Sequence, residues 1–281
     1  MVNHDGNLLG DGTQFLDHSN RGLRYGDALF ETMRCLSGRL VFWEDHYLRL
    51  MSSMRILRME IPMSFTMEFL EGQVQRTLEA NALQNKAARI RLTVFRQAGG
   101  RYLPATREVS WILEAEPLDS PFYLAGELPY EIELYKDFYV NDDLLSTLKT
   151  NNKILQVTGS IYCSENGYAN CLLLNQRKMV VEALNANVFL IQGNKIRTPP
   201  LSDGCLNGII RKKILEIVRK LEGYTIEESS ISPFDLQKAD EIFITNSIIG
   251  IRSVTRYRKA IYKGEVAKDL LGKLNAQARL G

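Results

Sequence analysis

Apolar residues recur along this chain with two periods, and the switches between them mark its elements. Arg39 to Trp43 is a short strand-like run. From His46 to Met59, the residues Tyr47, Leu48, Met51, Met54, Leu57 and Arg58 fall at helical spacing. A second helix is predicted over Met67 to Leu83, with Met67, Leu70, Val74 and Leu78 on one face. From Arg89 to Phe95 the period drops to two, grouping Ile90, Leu92 and Val94, and Val109 to Glu114 can pair beside that run. Between them, Gln97-Ala-Gly-Gly-Arg101 has the turn chemistry of a hairpin tip.

Around Glu116 to Gly126 the texture changes: Pro117, Ser120 and Pro121 cluster and no period survives. Beyond it, Asn151 to Gly167 reads as a helix, Cys171 to Leu174 as a buried strand, and Met179 to Val181 and Val188 to Gln192 as further strands. Gly193-Asn194 makes a turn and Pro199-Pro200 ends that unit. Asn207 to Leu221 is predicted helical with Ile210, Ile214, Ile217, Val218 and Leu221 inward, and Glu241 to Thr245 is one more strand. The expected fold class is α/β. An α+β N-terminal domain spans residues 1–118, a linker 119–127, and a mixed α/β C-terminal domain 128–281, with a crevice between the domains.

Composition narrows the function classes. With 45% hydrophobic and 24% charged residues in 281, the chain has the balance of a folded soluble protein. Its 35 basic and 33 acidic residues are dispersed, leaving a net charge of +2 and no basic stripe, which argues against nucleic acid as partner. No apolar run is long enough to cross a membrane, and Met1 to Asp11 does not read as a secretory signal. Cys35, Cys163, Cys171 and Cys205 lie far apart without metal-ligand spacing. They are expected to be reduced and packed, as in a cytoplasmic protein with no bound metal.

Taken singly, the polar residues that follow have ordinary explanations: Lys149 as a surface lysine, Glu182 as a strand-end carboxylate, Arg49 as a solvated helix charge. Their order changes that. The chain reads Arg21-Gly-Leu-Arg-Tyr-Gly-Asp-Ala-Leu-Phe-Glu31, then His46-Tyr-Leu-Arg49, then Leu148-Lys-Thr-Asn-Asn152. It continues with Val181-Glu-Ala-Leu-Asn-Ala-Asn-Val-Phe189, Gly204-Cys-Leu-Asn-Gly-Ile-Ile-Arg211 and Ala239-Asp-Glu-Ile-Phe-Ile-Thr-Asn-Ser247. Over roughly residues 20 to 255, in family order, this resembles the class IV PLP-dependent aminotransferases. These comprise branched-chain aminotransferase, D-amino-acid aminotransferase and 4-amino-4-deoxychorismate lyase.

The resemblance implies the class IV aminotransferase fold, pyridoxal 5'-phosphate (PLP) as cofactor and residues 128–281 as the PLP-binding domain. Lys149 would carry the cofactor's aldehyde and, once freed, act as general base. Glu182 would keep the pyridine nitrogen protonated so that the ring can accept electrons. Arg49 would clamp the phosphate. The first N–H groups of the helix at Gly208, Ile209 and Ile210 would also seat it, with Ser247 adding a hydroxyl and Asn185 and Asn246 contacts from their motifs. Ile210 stands where the family often has threonine, so one hydroxyl contact is lost.

Within the family, Ile154 replaces the tyrosine that branched-chain enzymes usually carry five residues after the lysine. Phe30 and Leu103 replace two of the three carboxylate ligands of the D-amino-acid enzyme, leaving Arg101, and apolar side chains cannot stand in for hydrogen bonds. Phe95-Arg-Gln-Ala-Gly-Gly-Arg101 looks most like the lyase, where Arg96 and Arg101 would meet a substrate with two carboxylates. Arg96 can equally be an exposed hairpin charge. The resemblance thus points to aminodeoxychorismate lyase, with an amino-acid transaminase using 2-oxoglutarate as the alternative and a non-catalytic PLP-binding protein as a remote third. It also implies a homodimer with sites at the subunit junction.

Overall fold

A computed structural model describes residues 1–280; the last residue of the second predicted domain, Gly281, lies outside the described residues. The chain divides into two compact units. One is built from Met1–Pro121 together with Lys149–Asn152, and the other from Phe122–Leu148 and Lys153–Leu280.

The first unit contains β1 (Val2–His4), β2 (Asn7–Leu9), α1 (Arg21–Tyr25), β3 (Ala28–Leu36), β4 (Arg39–Leu40), α2 (Trp43–Ile56), α3 (Met67–Ala80), β5 (Ala87–Arg96) and β6 (Val109–Pro117). Its strands form one antiparallel sheet in the order β2-β1-β6-β5-β3-β4. The period-two reading of β5 holds: Ile90, Leu92 and Val94 are buried. The helix face predicted for α3 also holds for Leu70, Val74 and Leu78.

Two expectations are corrected here. The strand predicted over Arg39 to Trp43 stops at Leu40, and α2 begins at Trp43 rather than His46. Phe42 takes a left-handed conformation (φ 56°) that turns the chain into the helix. The buried face of α2 is His46, Leu50, Met51, Ser53 and Met54, while Leu48 points to solvent. The polar His46 was outside the predicted face because its burial depends on a partner in β3.

The second unit runs through β7 (Glu131–Val140), α4 (Ile154–Asn166), β8 (Asn170–Asn175), β9 (Val180–Ala183), β10 (Asn187–Gln192), β11 (Lys195–Thr198), α5 (Ile209–Val218), β12 (Thr225–Glu228), α6 (Pro233–Lys238), β13 (Glu241–Asn246), β14 (Gly250–Val254), β15 (Arg256–Tyr257), β16 (Ala260–Ile261) and α7 (Glu265–Leu280). Two five-stranded sheets result, β12-β11-β10-β13-β14 and β16-β15-β7-β8-β9. Their core includes Ile132, Leu172, Val188, Leu190, Ile242 and Ile244. Burying each such side chain contributes roughly 1.5–3 kcal/mol. Glu241 caps α7, its carboxylate accepting from the backbone N–H of Glu265, Val266 and Ala267.

The predicted helix over Asn151 to Gly167 is shorter, starting at Ile154, because residues 149–151 pair with β3 instead. Phe30 N–H donates to the Lys149 carbonyl at 2.9 Å and Asn151 N–H to the Ala28 carbonyl at 3.0 Å. All four cysteines are buried and unbridged. Cys163 and Cys171, 8 positions apart in sequence, bring their Sγ atoms within 2.9 Å. No group of metal-ligating side chains occurs, and no helix is long and apolar enough to cross a membrane, among the described residues.

Candidate active site

In the first unit Phe30, Arg49 and Lys149 come together at β3. Its side chains alternate between the two faces of the sheet, so Glu31 is presented toward α2 and Phe30 toward the opposite face. Thr32 registers with Arg91 of β5 and Phe30 with Thr93. The Lys149 Nζ lies 4.3 Å from the centroid of the Phe30 ring, and the Arg91 guanidinium carbon lies 4.0 Å from the same centroid. Both distances fall within reach of cation–π attraction. Backbone pairing between 149–151 and β3 is what fixes the lysine beside this ring.

Arg91 was not singled out from the sequence. In a strand that alternates in and out it reads as a solvated charge, and only the register with β3 reveals its neighbour. Burial lowers its pKa, opposed by Glu114, whose carboxylate is 3.9 Å away.

Arg49 is held by Glu31: Nε donates to Oε1 at 2.8 Å and Nη2 to Oε2 at 2.5 Å. His46, one helical turn before Arg49, shares the same carboxylate, Nδ1 to Oε2 at 2.7 Å. Burial pushes the Glu31 carboxyl up, but Arg49 and His46 outweigh it and hold it down at about 2. An ionised carboxylate can only accept, so His46 Nδ1 carries the proton. Burial holds the His46 pKa below its usual value against the pull of Glu31, with Arg49 and Lys149 adding to the lowering. The motif containing His46 was read from the sequence, but this three-residue network was not.

Arg96 is corrected. It is 6% exposed, and its guanidinium donates to Asp27 Oδ2 at 3.0 Å, to the Arg58 carbonyl at 3.1 Å and to the Leu57 carbonyl at 2.8 Å. A guanidinium used in this way braces the fold and is not an exposed hairpin charge. Arg101, by contrast, is exposed on the loop that joins β5 to β6.

In the second unit, Glu182 lies on β9, only 9% exposed, with Oε2 accepting from the Leu206 N–H at 2.9 Å. Asn187 Nδ2 donates to the Leu206 carbonyl at 2.8 Å. A Cβ at Gly208 would come within 1.9 Å of Asn187 Oδ1, so only glycine permits this approach at the start of α5. No side chain caps that helix start. Asn246 Nδ2 donates to the Asn185 carbonyl at 3.0 Å, while its Oδ1 receives the N–H groups of Ile248 and Ile249. Ser247 follows directly, its carbonyl accepting from the Tyr123 hydroxyl at 3.3 Å.

These features fit the expected cofactor. A helix start with no side-chain cap, approached across a glycine that a Cβ would fill, offers backbone N–H groups to an anion. The buried Thr245 hydroxyl nearby, 1% exposed, has no hydrogen-bond partner. Glu182 supplies the buried carboxylate, and the pKa of Lys153 is lowered by burial, with Glu182 opposing the shift.

Residues 28–257 match the family model described as Amino-transferase class IV. The chain is 28% identical over 263 residues to an aminodeoxychorismate lyase of Vibrio harveyi, covering 91% of this chain and 94% of that one. It is also 28% identical over 255 residues to a putative branched-chain-amino-acid aminotransferase of Methanocaldococcus jannaschii, covering 89% and 87%. The fold is similar to that of a branched-chain aminotransferase from Thermoproteus uzoniensis solved with norvaline. The TM-score is 0.85 at 24% identity over 97% of this chain and 92% of that one.

Proposed function

The chain belongs to the class IV aminotransferases, a family of PLP-dependent enzymes, and from that premise we propose that it is a 4-amino-4-deoxychorismate lyase. The reaction converts one molecule of aminodeoxychorismate into one of 4-aminobenzoate and one of pyruvate. All atoms are accounted for, so no acceptor or oxidant is needed.

PLP, when bound, supplies an electron sink. In this reading Lys149 would hold it and would move the proton from the ring carbon that carries the substrate amine, which lets the ring aromatise as the pyruvate carbons leave. Glu182 would keep the pyridine nitrogen protonated. Arg49, the N–H groups at Gly208, Ile209 and Ile210, and Ser247 would hold the phosphate, with Asn185 and Asn246 adding contacts. Phe30, Arg91 and Arg101 would meet the substrate, while Arg96 braces the backbone beside them.

The observation that carries the reading is the Phe30 ring with Lys149 and Arg91 both beside it. An aromatic ring and a guanidinium lie beside the amine that this reading makes the base. A substrate with a flat ring and two carboxylates suits that combination, with Arg101 available for the second carboxylate. We further propose a homodimer in which Arg101 serves the neighbouring chain's site.

A second reading, an amino-acid transaminase using 2-oxoglutarate, is favoured by the equal identity to the branched-chain relative. The deciding experiment incubates PLP-loaded protein separately with aminodeoxychorismate and with amino acid/2-oxoglutarate pairs. Pyruvate with 4-aminobenzoate in the first and no glutamate in the second supports the lyase. The reverse supports the transaminase.

A further inference from the structure

Arg21 is an arginine that nothing in the proposed chemistry uses, yet it is 3% exposed and hydrogen-bonded through Nε and Nη1. Its Nε donates to Asp27 Oδ2 at 2.8 Å. Its Nη1 donates to two carbonyls of the loop joining β5 to β6, Arg101 at 2.6 Å and Gly99 at 3.1 Å. The same Asp27 oxygen also receives Arg96, which is anchored on the Leu57 and Arg58 carbonyls. Two buried guanidinium groups thus share one carboxylate. The excess positive charge is offset by backbone carbonyls, because a buried cation without acceptors is expensive.

The loop is tight in itself. Gly99 and Gly100 have φ of 115° and 72°, and a Cβ at Gly100 would meet the Leu103 carbonyl at 2.2 Å. Gly100 bridges Pro104, and Ala105 N–H donates back to the Gly99 carbonyl. Tyr25, whose ring lies 4.8 Å from the Arg21 guanidinium, also meets the ring of Tyr102 at 5.8 Å. Arg21 and the loop therefore hold each other. Moving the loop strips the buried guanidinium of two acceptors, and removing the guanidinium frees the loop.

We propose that Arg21 is the positioning residue for substrate recognition: by gripping the Gly99 and Arg101 carbonyls it fixes the backbone from which the Arg101 side chain reaches a substrate carboxylate. The inference rests on the reading of Arg101 as a carboxylate ligand.

The test compares Arg21→Met, Arg21→Lys, Arg101→Ala and the Arg21→Met/Arg101→Ala double variant in PLP-saturated enzyme. Each is measured for KM and kcat with aminodeoxychorismate, or with the amino donor if the product assay identifies a transaminase. Each is also measured for amide exchange of residues 97–105. Arg21→Met and Arg101→Ala should each raise KM about tenfold to a hundredfold, the effect of losing hydrogen bonds to a charged group, with kcat less affected. The double variant should be no worse than Arg101→Ala alone. Exchange in the loop should accelerate in Arg21→Met and not in Arg101→Ala. Arg21→Lys, which keeps the charge on Asp27 but not the fork, should fall between wild type and Arg21→Met, and it decides the matter should Arg21→Met not fold. A normal KM and normal loop exchange in the Arg21 variants, beside a raised KM in Arg101→Ala, overturns the positioning role and leaves Arg101 a ligand. A normal KM in Arg101→Ala removes the ligand reading and this inference with it. Additive effects in the double variant would mean that Arg21 acts through something other than Arg101.

Discussion

Arg49 and Glu31 form a two-point ion pair between α2 and β3, with His46 on the same carboxylate. The pair orients the guanidinium proposed to hold a phosphate, so stability and cofactor affinity are linked through one contact. Because the native Glu31 pKa is depressed from 4.5 to about 2, the pair's contribution is complete above the ordinary carboxylate range. It drains away as pH falls from there toward the native value.

Glu31→Gln should therefore destabilise the protein at neutral pH by about 3 kcal/mol, the scale for breaking a buried ion pair. The difference from wild type in urea unfolding should shrink as pH falls from 4.5 toward 2. A difference that stays constant over that interval would mean that Glu31 is not stabilised by its charge.

Arg49→Ala should weaken PLP binding by about 2–4 kcal/mol, while the turnover of cofactor-saturated enzyme changes far less. It also leaves Glu31 buried with His46 alone, so the unfolding midpoint should fall as well. Titration of PLP into the apoprotein measures the first effect and urea unfolding the second. Unchanged PLP affinity with a lowered midpoint would make Arg49 purely structural.

Glu182→Gln should keep its place, since an amide oxygen can still accept from the Leu206 N–H. The unfolding midpoint and PLP content should stay near normal. Turnover should drop by about a hundredfold or more, the loss seen when a preorganised electrostatic stabiliser is removed. A near-normal rate would take Glu182 out of the mechanism.

The fold was legible where one face of an element is buried by its own sequence pattern, as in Ile90, Leu92 and Val94 of β5. It was illegible where burial is made possible by distant partners. β3 carries Glu31 and Arg34 in its core, 2% and 7% exposed. The pairing of Glu31 with α2 and of Arg34 with the Ser120 carbonyl cannot be seen locally. β7 hides its buried Ile132, Leu134 and Tyr135 among Glu131, Glu133, Lys136 and Asp137. α7 is different: its stripe of Ala267, Leu270, Leu271, Leu274 and Ala278 is there to be read, and the helix was simply missed. Among the candidate site residues, motif order pointed to Lys149, Glu182 and the α5 start. Arg91 and the network around Arg96 depend on strand register, which sequence periodicity does not supply.

Mixing Arg101→Ala subunits with Lys149→Ala subunits should restore part of the activity that each lacks alone. In a mixed dimer one site receives an intact lysine and an intact arginine from different chains. Recovery should track the fraction of mixed dimer after subunit exchange. No recovery from a mixture shown to exchange would mean that Arg101 serves its own chain's site or none.

The proposed chemistry depends most on Lys149 being the amine that holds the cofactor. The direct measurement is borohydride treatment of the PLP-loaded protein, followed by peptide mapping of the fixed label. The label is expected on the peptide position of Lys149, and Lys149→Ala should abolish it while leaving the unfolding midpoint close to wild type. Labelling at Lys153, whose pKa burial lowers, with Lys149 unmodified, would contradict the central claim.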